Sequence, residues 1–320
     1  MFWEDGASAV TVGFGISCGI GLLPAIWVLW KYRSGISDSG EALTHSQMWK
    51  RIAPYAVWLW MSNLLCNLIE VADRYMLIHW STLPAEQAQG TVGQYHSGQV
   101  VPLLLTSVAT MLAGVLIPYM SKAWEKDDRE GAIKQLNWTV KLTSLVFTAG
   151  GVVVLLFSPL LFDWILQGRY SGGLSVLAPT LVYCIWYSLF AVGQNFLWIA
   201  EKGKWTALAI GVGLATNIIL NMILIPLYGL HGAVIATSIG NLTIVSLLFG
   251  LNHWFGCRTD VGIWFCAGLP LILLLGKPSA VIAIVAVGLY LWTSDSVLSA
   301  EEKSDVGKLI REKLGKYLPK

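Results

Sequence analysis

Apolar residues arrive in long blocks separated by short polar breaks along nearly the whole chain. The blocks fall near 8–30, 53–80, 95–121, 138–157, 175–200, 206–227, 231–251, 261–276 and 279–294. A helix needs about 20 apolar residues to cross a hydrocarbon core of about 30 Å. Lipid offers no partners to backbone N–H and C=O groups, so blocks of this length become helices. The pattern predicts an all-α fold, a polytopic transmembrane helix bundle of about nine spans. The last two blocks are short and flank Gly276-Lys277-Pro278, where proline disfavours helix at the residue before it. They are tilted spans or a re-entrant pair.

Composition agrees with a lipid environment. Hydrophobic residues make up 55% of the chain and charged residues 12%. A soluble domain carries about 25% charged residues, so a chain with half that cannot cover its surface with polar groups. Mean hydropathy is +0.63. The net charge of +2 argues against nucleic-acid binding. Cys18, Cys66, Cys184, Cys257 and Cys266 have neither metal-ligand nor redox spacing and read as small apolar side chains. There is no Walker A sequence and no HExxH pair. The doublet Asp127-Asp128 reads as solvated charge. No catalytic residue, bound metal or cofactor is expected, and the chain does not read as an enzyme.

Lys and Arg set the orientation. One series of connections holds Lys31, Arg33, Lys50 and Arg51, then Lys122, Lys126, Arg129 and Lys134, then Lys202 and Lys204, then Arg258. The tail adds Lys303, Lys308, Arg311, Lys313, Lys316 and Lys320, whereas the alternate connections hold Arg169 and Lys277. The positive-inside rule makes the first series cytoplasmic and places the C-terminus inside and residue 1 outside. Such a start points to a segment upstream of residue 1, or to a first block that does not span. Trp49, Trp80, Trp124, Trp138, Trp205 and Trp254 fall near block ends, at headgroup depth.

Between the blocks, 122–137 reads as a short charged helix and 159–170 as an interfacial segment. The tail begins with Ser299 and Glu302 at capping-box spacing. Its later apolar residues recur at helical spacing among lysines, as in a helix on an anionic leaflet.

Polar side chains inside spans are costly and turn toward a bundle interior or a cavity. The block 53–80 is the richest. Asn63, Asn67, Glu70 and Arg74 follow one another at steps of four, three and four, on one helical face. Ser62, Cys66 and Asp73 form a neighbouring row. Arg74 is either a snorkelling side chain neutralised by Glu70 or part of an anion site facing a cavity. Gln99, Gln194, Asn195, Asn217, Asn221 and Asn241 are further amides within spans, of the kind that bridge helices. Gly232, Ala236 and Gly240 make a small-residue seam, which with Tyr228-Gly229-Leu230-His231 predicts a tight hairpin.

That hairpin, NIILNMILIPLYGLHGAVIATSIGNL at 217–242, resembles a recurrent hairpin of polysaccharide export proteins in the MOP superfamily, which includes O-antigen flippases, lipid II flippases and MATE exporters. EVADRYMLIHW at 70–80, VGQYHSGQVVPLLL at 92–105 and IPYMSKAWEKDD at 117–128 resemble further stretches of the same family in the same order. The resemblance implies two six-helix lobes around a central cavity. Residues 1–34 would be the last helix of a first lobe, 35–52 a cytoplasmic linker and 53–252 a six-helix C-terminal lobe. Residues 253–294 would be two additional spans and 295–320 a cytoplasmic amphipathic tail. Five helices of a first lobe have no counterpart, so the resemblance implies a missing N-terminal lobe or a second chain as partner. It also implies an inner-membrane flippase that moves a polyprenyl-pyrophosphate-linked oligosaccharide by alternating access. In that reading Arg74 meets the pyrophosphate, while Asn63, Asn67, Asn217 and Asn221 meet sugar hydroxyls. The alternatives are a MATE-like, cation-coupled drug antiporter, with Glu70 and Asp73 binding cation or proton, and an inactive or partner-dependent half-transporter.

Overall fold

The computed structural model describes residues 6–33, 44–160, 162, 171–300 and 302–304. The bundle is all-α. Among the described residues seven helices are long and apolar enough to cross a membrane, and Val261–Leu275 and Lys277–Thr293 are shorter apolar segments. The chain divides into two units, Met1–Ile52 and Ala53–Lys320.

In the first unit, α1 (Gly6–Tyr32) carries apolar side chains on all sides, and every side chain described from Thr11 onward is exposed. A helix without a polar face is suited to lipid or to another apolar surface. The helix α2 (His45–His79) starts in this unit and continues through the second. It begins eight residues before the apolar block, inside the stretch expected to be linker. The cause is local. Thr44 Oγ1 accepts from Gln47 N at 3.4 Å while Gln47 Oε1 accepts from Thr44 N at 3.0 Å, a capping box on a polar first turn.

The second unit continues with α3 (Ala85–Glu125), α4 (Arg129–Leu160), α5 (Ser171–Ser175), α6 (Leu177–Gly193), α7 (Asn195–Ile199), α8 (Gly203–Tyr228) and α9 (Leu230–Trp254). It closes with α10 (Val261–Gly268), a 3₁₀ stretch Leu269–Leu275 and α11 (Lys277–Thr293). The separate charged helix expected at 122–137 is instead the ends of two long helices. Residues 122–125 finish α3, Asp127 turns the chain with φ 61°, and Asp128 Oδ1 caps α4 by accepting from Gly131 N at 2.9 Å. The expected interfacial segment at 159–170 lies largely outside the described residues, as does the tail beyond 304.

Helix α6 is the best-buried span, and α3, α4, α9 and the 3₁₀ stretch all pack on it. From the start of α7, Asn195 Nδ2 reaches across to Ala113 O of α3 at 2.9 Å, a bridge between helices. The hairpin of α8 and α9 is the tightest pair. Gly229 turns it at φ 53°, in the left-handed region. A Cβ on Gly232 would strike Leu224 O, and one on Gly240 would stand 3.1 Å from Asn217 Cβ. The small-residue seam therefore lets the two backbones meet.

One end of this unit gathers the basic connections. Ser121, Glu125, Arg129, Lys202 and Phe255 line one cleft there, so the α3–α4, α7–α8 and α9–α10 connections are neighbours. Arg129 lies over the Trp124 ring at 5.1 Å and Lys202 over the Phe255 ring at 5.6 Å. Such cation–aromatic pairs suit a headgroup boundary.

The seam makes a clear prediction. Gly232→Ala should lower stability by about 1–3 kcal/mol through overpacking against backbone. Gly250→Ala, where a Cβ would meet nothing within 4 Å, should be neutral or slightly stabilising. Thermal unfolding in detergent, followed by tryptophan fluorescence, measures both; equal melting temperatures for the two variants would refute the close approach.

Candidate functional site

Helix α2 is sparsely buried. Of its 35 residues, Ser62, Ile69, Asp73, Met76 and Leu77 are buried. Asp73 attaches it to the rest. Its carboxylate is 1% exposed. Oδ2 accepts from Tyr95 OH of α3 at 2.8 Å and from Thr237 Oγ1 of α9 at 2.6 Å. Oδ1 accepts from the amides of Asn217 at 3.0 Å and Asn221 at 2.8 Å, both on α8.

The ring of partners is closed. Asn217 Nδ2 also donates to Thr237 Oγ1 at 3.2 Å, and Asn221 Nδ2 to Asn217 Oδ1 at 3.2 Å. Each amide thus places both of its hydrogens within the cluster. Asn221 Oδ1 is buried with no hydrogen-bond partner. Asp73 makes no ion pair among the described residues, so four neutral donors hold its carboxylate.

Asp73, Tyr95 and Thr237 line one part of a cavity of about 650 Å³ that opens between α2, α3, α6 and α9. From α2 come Asn63, Asn67, Glu70 and Arg74, the stripe read from the sequence. Arg74 Nη2 lies 3.8 Å from Glu70 Oε2, with the two side chains 44% and 62% exposed. A pair so open contributes about 0.3–0.5 kcal/mol; both groups remain available to a ligand. Asn63 Nδ2 donates to Leu59 O at 3.0 Å and Asn67 Nδ2 to Asn63 O at 2.8 Å. These bonds fix each amide on its own helix.

The opposite walls are amphipathic. Helix α3 supplies Gln99, Thr106 and Thr110, helix α6 supplies Tyr183 and Tyr187, and helix α9 supplies Asn241. Gln99 Nε2 donates to Tyr183 OH at 2.7 Å, joining α3 to α6 in the cavity wall. Aromatic rings with hydroxyl tips, beside short hydroxyl side chains, can stack on sugar faces and hydrogen-bond their edges. Asn217 and Asn221 are not in the cavity wall; they turn toward Asp73. Among the described residues no group of three His, Cys, Asp or Glu side chains could hold a metal ion.

Sequence reasoning passed over Tyr183, Tyr187 and Lys141. The tyrosines are ordinary residues of an apolar block. Lys141 carried a usable signal, a lysine inside the block 138–157.

No protein-family model matches the chain, and no solved structure matches it. Among curated proteins it is similar to "Uncharacterized membrane protein YabM" of Bacillus subtilis, 26% identical over 261 residues, covering 77% of this chain and 48% of that protein. It is 22% identical over 265 residues to "Lipid II flippase MurJ" of the same organism, covering 77% of this chain and 48% of the flippase. "Probable lipid II flippase MurJ" of Vibrio cholerae is 23% identical over 218 residues, covering 63% of this chain and 38% of that protein. The chain spans about half the length of the curated relatives it matches.

The Asp73 cluster makes a graded prediction. Asp73→Ala leaves four buried donors without their acceptor and should cost about 3–5 kcal/mol. Asp73→Asn keeps one accepting oxygen and should cost roughly half as much. Unfolding midpoints of purified variants measure the difference. Parent-like stability of Asp73→Ala would remove the carboxylate as the tether of α2.

Proposed function

We propose that residues 53–252 form the C-terminal lobe of a MOP-type flippase, which translocates a lipid-linked substrate across the bacterial inner membrane by alternating access. The similarity to two lipid II flippases supports a lipid-linked cargo. The observation that carries the reading is the α2 stripe, whose polar face borders a cavity large enough for a headgroup. The cargo we infer is a polyprenyl-pyrophosphate-linked oligosaccharide of polysaccharide or O-antigen biosynthesis. Arg74 meets its pyrophosphate, and Asn63 and Asn67 meet sugar hydroxyls. Asn217 and Asn221 act at one remove, by holding Asp73 and therefore α2.

The lobes of such a transporter rock about a fixed site. The polar flank of α2 needs a facing surface, supplied by an N-terminal lobe or a second chain. The basic connections lie in the cytoplasm, the C-terminus with them. Residues 1–34 serve as the last helix of the first lobe, 35–52 as the linker and 253–294 as the additional pair. Outward movement of an anion is favoured by the inside-negative potential by about 2.3 kcal/mol per charge per 100 mV. Exposed Glu70 favours one second reading, cation-coupled drug antiport, in which Glu70 and Asp73 bind the cation or proton.

Complementation distinguishes these. The chain is expressed in a flippase-depleted bacterium, alone and joined to the N-terminal lobe of a lipid II flippase. The joined form should restore export of lipid-linked glycan. Arg74→Ala should lower export by about tenfold, a loss of about 1.4 kcal/mol at one charge-assisted contact. Full export by Arg74→Ala removes the anion site. Drug efflux abolished by Glu70→Gln, with export absent, supports the antiporter.

A further inference from the structure

The basic end of the second unit holds another cluster of buried charge, separate from the cavity. Lys141 lies three turns into α4 and is 2% exposed. Its Nζ donates to Asp260 Oδ2 at 2.5 Å and to both carboxylate oxygens of Glu302 at 3.3 Å. Asp260 is the N-cap of α10, where its Oδ1 accepts from Ile263 N at 3.0 Å. Glu302 accepts from Ser299 N at 2.7 Å while Ser299 Oγ accepts from Glu302 N at 3.2 Å, the two halves of a capping box. One ammonium therefore joins α4, the start of α10 and the segment after α11.

That segment is anchored at separate points, with Asp295, Ser296, Ser299 and Ala300 exposed between them. Val297 and Leu298 are buried. Val297 O passes so close to Gly262 that a Cβ there would be 2.6 Å away. Lys303 Nζ donates to Ser294 O at 2.8 Å and Asp295 Oδ1 at 2.7 Å. Ser299 and Glu302 form one side of a cleft of about 570 Å³, across from Asn137 and Arg258. Asn137 Nδ2 in turn donates to Arg258 O at 2.8 Å, fixing the α9–α10 connection on α4. Beside it, burial pushes the Cys257 thiol up to about 12, so this thiol stays neutral.

A buried ammonium is tolerated only while paired, and loss of a partner leaves an uncompensated charge. We propose that residues 294–300 and 302–304 are a latched strap. Lys141 holds it against α4 and the start of α10 through Glu302, where it walls the basic-end cleft, and release of that carboxylate frees this wall. The division of labour is specific: Glu302 belongs to the strap, whereas Asp260 belongs to α10. Losing Glu302 frees the strap and leaves Lys141 paired to Asp260.

Hydrogen–deuterium exchange of the full chain in phosphatidylcholine/phosphatidylglycerol nanodiscs tests this. The parent should protect the amides of 294–304. Glu302→Gln keeps the capping box, since glutamine serves at that position, and removes the charge. It should speed exchange of 294–304 by about tenfold or more, while 261–268 and 217–242 stay as in the parent. Lys141→Met keeps the stem volume and should release both 294–304 and the start of α10. Should Lys141→Met also lose protection in 217–242, it has misfolded and Glu302→Gln alone decides. Equal exchange of 294–304 in parent and Glu302→Gln overturns the latch. So does release of 261–268 together with the strap in Glu302→Gln.

Discussion

The carboxylate of Asp73 is the constraint on which the arrangement of α2 depends. A buried, unpaired ion costs several kcal/mol even after relaxation. Four neutral donors from three other helices offset that cost here. Each must arrive within hydrogen-bond distance, so the carboxylate fixes α3, α8 and α9 relative to α2. The hairpin seam is part of the same device. Because Gly240 lets α9 approach α8 at Asn217, Thr237 Oγ1 can accept from Asn217 and still donate to Asp73. A bulkier seam would move Thr237 and leave Oδ2 short of a donor.

Asp73 and Arg74 are consecutive and both border the cavity, but Asp73 is held by four donors whereas Arg74 is open. Successive residues on a helix differ by about 100° in direction. That angle points Arg74 into the open cavity and Asp73 into its donors, of which Tyr95 and Thr237 share the cavity wall with it. A rotation of α2 that carried Arg74 inward would pull Asp73 off its donors. The open stripe and the Asp73 cluster are therefore mechanically linked through one backbone, and the cluster sets the orientation of the stripe.

Much of this was legible in the sequence because lipid enforces simple rules. Apolar length gave the spans, and helical spacing brought Asn63, Asn67, Glu70 and Arg74 to one face. The Gly232–Gly240 repeat marked the hairpin. Direction was harder. Asn217 and Asn221 share a face at a four-residue step, but whether that face meets substrate or another helix depends on which helix stands opposite. The acceptor that claims them is 144 and 148 residues away. Lys141 is a similar case, with partners 119 and 161 residues distant. The extent of α2 beyond its apolar block follows from a capping box on a polar turn that hydropathy does not register.

The exposed flank of α2 cannot simply face acyl chains. An Arg or an acidic side chain at bilayer depth costs about 2.5–3.5 kcal/mol each on insertion scales. Native stabilities are about 5–15 kcal/mol in total. Lipid exposure of Glu70 and Arg74 would consume a large share of that margin, before any cost for the amides of Asn63 and Asn67. Their mutual contact at 3.8 Å is too open to return more than a small part. A membrane helix with this stripe is stable only against water or against polar protein. The cavity gives the stripe such surroundings on the side of α3, α6 and α9, whose Gln99, Thr106, Thr110, Tyr183, Tyr187 and Asn241 are polar at their tips.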